Sequence, residues 1–192
     1  MNKGEYLDSI LRSKRTVFTF KDVALLWQEG DDDSIRARLN YYVKKGSLQR
    51  VRRGVYVKDK NYDKLELAVR VFTPAYVSFE TVLAKEGLIF QYQDSITVAS
   101  YLTREIVMDD QKYEYRKIKD SVLTDTAGII QKENLWIASR ERAFLDVLYS
   151  KTEYHFDNLR SIDWDVVESL LPIYDNKRLV KKVTQIHKEV MN

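Results

Sequence analysis

No cysteine occurs among the 192 residues, which removes disulfides, thiolate metal sites and cysteine nucleophiles together. The two prolines and six glycines are scattered, so no Pro/Gly/Ser-rich run marks a flexible linker. Histidine is as scarce. His155 and His187 stand far apart, and a zinc site built on them lacks its remaining ligands. No apolar run approaches the roughly 20 residues of a membrane span, and the opening MNKGEYLDSILRSKR has no uninterrupted apolar stretch of the signal-peptide kind. Internal repeats, Gly-rich phosphate loops and Gly-x-Ser-x-Gly elbows are also missing. The expectation is a soluble, cytoplasmic protein with no membrane partner and no cofactor.

What is present is charge, and it is unevenly spread. The net charge is only +3, yet residues 1–60 carry 14 Lys and Arg against 8 Asp and Glu, while the remaining 132 carry 18 against 21. Such asymmetry suggests that one part meets a polyanion and the other does something else. With 44% apolar residues the chain can bury one good core or two small ones.

Within the basic third, Tyr6, Leu7, Ile10 and Leu11 fall on one face of a helix over residues 3–13. Val17–Thr19 suits a short strand. Thr19, with Asp22 three residues on, resembles a capping box opening a second helix that breaks at Glu29–Asp32. A third helix follows, DDSIRARLNYYVKKG, with Asp32, Asp33 or Ser34 as its cap and Gly46 closing it. Ile35, Leu39, Tyr42 and Val43 make its buried stripe, and the opposite face carries Arg36, Ala37, Asn40, Tyr41 and Lys44. That face has the hydrogen-bonding and cationic side chains a recognition helix needs in a major groove. Ser47–Val51 and Val55–Lys58 then read as a hairpin with Arg52-Arg53-Gly54 at its bend. This order of elements is that of a winged helix-turn-helix, in which Arg50, Arg52 and Arg53 meet the phosphate backbone.

The hairpin pattern Gly46-x-Leu48-x-Arg50-Val51-x-Arg53-Gly54-Val55-Tyr56, placed after a helix-turn-helix, resembles the start of the AbiEi-like antitoxins of bacterial type IV toxin–antitoxin systems. Two later segments are similar to that family as well: YVSFETVLAKEGL over residues 76–88, after Pro74, and ASRERAFLDVL over residues 138–148. The resemblance touches most of residues 1–150, and the last 40 residues lie outside it. It implies a repressor that binds double-stranded DNA at an operator upstream of its own gene. It further implies that the chain counteracts, directly or indirectly, a cognate nucleotidyltransferase-like toxin.

Residues 1–60 are thus expected to form the DNA-binding domain and residues 61–192 an α+β antitoxin or effector domain. In the latter, Tyr62–Phe72 reads as a helix ended by Pro74, and Ser78 as the cap of a helix running to Glu86. Strands are expected at residues 96–98, 113–118, 122–123, 129–130 and 135–137, forming a small antiparallel sheet. Ser139 caps a helix over Arg140–Tyr149, and helices at 163–170 and 175–190 end the chain. No catalytic or metal-binding set stands out. Asp110, Glu114 and Lys117 come nearest to a nuclease motif, but Glu114 and Lys117, three apart on a strand, face opposite ways. Glu141 suits the helix dipole, Arg142 and Asp146 an i,i+4 pair, and His187 a solvated position. Two competing readings stay open: a winged helix that docks a protein and binds no DNA, and a nuclease with a DNA-binding head.

Overall fold

In the computed structural model, which describes residues 3–191, the first apolar stripe becomes α1 (Lys3–Arg12). Tyr6 and Ile10 point into a core, whereas Leu11 is exposed. The strand β1 (Val17–Thr19) runs directly into α2 (Phe20–Trp27). The expected capping box is formed there: Thr19 Oγ1 accepts from the Asp22 amide, and the Asp22 carboxylate accepts from the Thr19 amide at 2.8 Å. After Gln28, which ends α2 in the left-handed region, the chain turns into α3 (Asp32–Lys44). Its cap is Asp31 rather than Asp32, Asp33 or Ser34. The Asp31 carboxylate accepts from the Asp33 amide and the Ser34 hydroxyl, and these bonds, led by that to Ser34, lower its pKa.

A hairpin follows, β2 (Gln49–Arg52) and β3 (Val55–Val57), and the three strands form an antiparallel sheet in the order β1-β3-β2. A register shift between Arg50 and Arg52 bulges β2, so Arg52 belongs to the strand and Arg53-Gly54 alone make the turn. Gly54 takes φ +78, a conformation that costs glycine little. Its carbonyl accepts the Phe20 amide at 2.9 Å, satisfying one of the donors left free at the start of α2. Tyr6, Ile10, Phe18, Trp27, Ile35, Leu39, Leu48 and Tyr56 belong to one buried cluster. The Trp27 indole donates to the Tyr6 carbonyl at 2.8 Å.

The next helix, α4 (Lys64–Val71), belongs with this part of the chain. The chain divides into two compact units, Met1–Val71 and Phe72–Asn192, so the division falls after α4 and not at residue 60. The reason is polar. Glu66, only 3% exposed, accepts from the Thr16 amide (2.9 Å) and hydroxyl (2.7 Å), and Arg70 joins Arg15 on the Asp22 carboxylate.

The second unit is built on six strands: β4 (Ala75–Val77), β5 (Ser95–Ser100), β6 (Arg104–Met108), β7 (Gln111–Lys117), β8 (Ile129–Lys132) and β9 (Leu135–Ala138). Their order is β6-β7-β5-β4-β9-β8. The sheet is larger than expected and mixed rather than antiparallel, because β5 pairs parallel to β7 and β4 parallel to β9. Inserting β7 between β5 and β6 makes the β5–β7 pair parallel and leaves β6 on the edge. Val122 and Leu123, expected in a strand, lie in the short helix α6 (Asp120–Leu123). The other helices are α5 (Glu80–Lys85), α7 (Arg140–Ser150), α8 (Trp164–Leu170), continued by a 3-10 turn, and α9 (Lys177–Met191). Helix α7 packs against α5, α8, α9 and β9. His187, expected in solvent, instead stacks on the Trp164 ring with centroids 4.2 Å apart.

The expected cap Ser78 caps nothing. Phe79 holds that place with φ +56 and supplies no side-chain cap; the Thr81 amide donates instead to the Thr97 hydroxyl at 3.0 Å. The Ser78 hydroxyl is drawn inward to Asp146 (2.7 Å), which also accepts from Tyr76 (3.0 Å) and Tyr174 (2.7 Å). Arg142 Nε lies 3.5 Å from Asp146, and both side chains are fully buried. Arg142 also donates to the carbonyls of Ala127 and Val122. The i,i+4 pair read from the sequence is therefore the centre of an enclosed polar network. Gly128 borders it at φ +71, where a Cβ would come within 3.0 Å of Arg142 and Leu170.

Candidate nucleic-acid interface

The eight residues singled out from the sequence all lie in the first unit, on α3 and β2 and at the hairpin turn. The turn of α3 that buries Ile35, Leu39 and Tyr42 leaves Arg36, Ala37, Asn40, Tyr41 and Lys44 exposed, as a 3.6-residue period requires. Arg50 and Arg53 are exposed, and Arg52 is half-buried in β2. The structure thus brings five of the residues onto one helix and three onto the adjoining hairpin.

Two features qualify that surface. Arg36 is engaged by its own helix: its guanidinium lies 3.2 Å from both Asp32 and Asp33, and it sits over the Phe20 ring at 5.2 Å. With Asp31, those carboxylates make the first turn of α3 acidic, so the cations free of carboxylates lie towards its C-terminal end. Lys44 stands there, and Lys45 lies 5.9 Å from the Tyr41 ring. The dipole explains this polarity, since acids suit the N-terminus and cations the C-terminus.

Sequence reading did not anticipate the second feature, an open, mainly apolar groove of about 610 Å³ between α1 and α3. Leu7, Ala37, Tyr41 and Tyr42 line it, with Arg38. Arg38 serves the fold there: its guanidinium covers the Tyr6 ring at 3.6 Å and approaches Glu29 at 3.8 Å. Burial raises the pKa of the Tyr42 hydroxyl. The signal was present in part, as Ala37 and Tyr41 are the least polar members of the exposed face. The contribution of Leu7 depends on how α1 packs, which periodicity alone does not give.

In the second unit Asp110 lies in the β6–β7 turn, and Glu114 is paired to Arg116 at 2.7 Å. Among the described residues, no three of His, Cys, Asp and Glu form a group able to hold a metal. No helix among them is long and apolar enough to cross a membrane. No family model matches the sequence, and no curated protein is similar to it.

Proposed function

We propose that the first unit is a winged helix-turn-helix that binds double-stranded DNA, and that the chain is the repressor-antitoxin of a type IV toxin–antitoxin pair. The observation that carries the DNA reading is the exposed α3 face, Arg36 to Lys44, beside a hairpin bearing Arg50, Arg52 and Arg53. In this reading α3 enters the major groove and the hairpin (the wing) holds the backbone. Arg52→Ala with Arg53→Ala should weaken binding to all duplexes alike and flatten the dependence of log K on log[salt] by roughly one unit for each phosphate no longer neutralised. An unchanged slope removes the wing from the interface. Asn40→Ala should cost about 1–3 kcal/mol at particular base pairs, measured by competition between operator and random duplexes.

The antitoxin role is supported by the sequence resemblance and by the division of charge, +6 in the first unit against −3 in the second. Co-expression with a neighbouring nucleotidyltransferase-like gene product tests it; persisting toxicity would rule it out. One observation favours a second reading, in which the first unit docks a protein: the apolar groove beside Ala37 and Tyr41. Loss of a partner, but not of duplex binding, in Tyr41→Ser would favour it.

A further inference from the structure

A small polar recess lies in the second unit, where the C-terminal end of α7 meets the N-terminal end of α9. It encloses about 130 Å³, far less than the roughly 300–1,000 Å³ of a site for a whole small molecule. A recess of that size suits a small polyatomic ion. Lys151, Arg178 and Lys182 line it together with Thr152 and Asn176, and no carboxylate does. A polar hollow with three cations and no acid has a definite chemistry.

The cations are not equally committed. Lys151 is paired to Glu80 at 2.7 Å. Lys182 donates to the carbonyls of Leu148 (3.0 Å) and Lys151 (2.7 Å), so it covers the oxygens at the end of α7 that would otherwise repel an anion. An ammonium has three N–H donors, and this leaves Lys182 with one. Asn176 Oδ1 accepts from the amides of Arg178 and Leu179, leaving its NH₂ to donate. Among the described residues, neither the Arg178 guanidinium nor the Thr152 hydroxyl has a hydrogen-bond or ion-pair partner. Capping α7 occupies Lys182, whereas Arg178 and Thr152 are exposed, so their donors face solvent and are open to a ligand.

We propose that this recess binds a phosphate group, held by Arg178, Lys182, Thr152 and Asn176. The guanidinium supplies the directional contact, since its paired N–H groups match phosphate oxygens. Burial first and then the charge of Arg178 lower the Lys182 pKa, with Glu153 acting the other way, and an anion between the two cations relieves their repulsion.

The test is a titration of the full-length chain with inorganic phosphate in chloride buffer of constant ionic strength, followed by amide chemical shifts. Saturable shifts confined to residues 148–152 and 176–182 are expected. Arg178→Gln with Thr152→Val should weaken them by roughly tenfold or more, as loss of a charge-assisted bond implies, while the far-UV spectrum stays the same. Shifts no larger than those from chloride, or equal binding by the variant, overturn the site. Two further arms identify the source of the phosphate. A nucleoside monophosphate saturating the same resonances at lower concentration indicates a free phosphorylated ligand. An oligonucleotide doing so, with the variant losing about one unit of salt slope, indicates a nucleic-acid backbone.

Discussion

Asp146 is surrounded by three hydroxyl donors and a guanidinium, all buried, and its worth lies in completeness. Burial raises the Asp146 pKa, and Arg142, Ser78, Tyr174 and Tyr76 pull it back. Burial opposes the charge on Arg142 as well, yet Tyr174, Tyr76 and Asp146 hold its pKa above the ordinary value. Removing one partner strands the other. Asp146→Asn should cost about 3–5 kcal/mol in urea unfolding, because it leaves the buried Arg142 charge without its counterion. Tyr76 and Tyr174 have pKa values raised well above 10.0, by burial first and the Asp146 charge second. Unfolded tyrosines therefore ionise while these two remain neutral. Their contribution is full below pH 10 and is lost as pH rises above it, at up to about 1.4 kcal/mol per pH unit for each. Urea titrations above pH 10 should show this fall, and it should be shallower in Tyr76→Phe with Tyr174→Phe.

Among the elements, α3 and the hairpin after it carry the proposed DNA binding. Asp32 and Asp33 hold Arg36 in the free protein, and like charges near phosphate weaken DNA binding. Asp32→Asn with Asp33→Asn should therefore tighten binding to any duplex at low salt, read by fluorescence anisotropy; no change would place the start of α3 away from DNA. The longer helices were legible because their signals are local: Thr19 with Asp22, the Ile35–Leu39–Tyr42 stripe, Ser139 before Arg142; the four-residue α6, expected as a strand, was not. Strands β4 and β6 were not, since β4 has three residues and β6, Arg-Glu-Ile-Val-Met, lies on an edge with little alternation. Parallel pairing of β5 with β7 depends on which strand slots between two others, and no short window of sequence contains that. The groove beside Tyr41 was hidden for the same reason, as its other wall is a separate helix.

For the whole molecule, the two units keep the charge division of the sequence but move its boundary past α4. Hydropathy gave Tyr62–Phe72 as a helix without saying which core it joined. Glu66 decides that, through the two bonds it accepts from Thr16. A fragment of residues 1–60 should consequently melt well below one of residues 1–71, since bonds to a charged acceptor are worth about 1.5–3 kcal/mol each. Equal melting temperatures would show that α4 is dispensable to the first unit.

The bond from the Phe20 amide to the Gly54 carbonyl gives this protein an internal clock. That proton is released to solvent only when the hairpin turn parts from the start of α2 or the unit unfolds. Its hydrogen-exchange rate, set against that of a core amide such as Leu39, separates local opening from global unfolding. A duplex gripping the turn should slow exchange at Phe20 more than at Leu39.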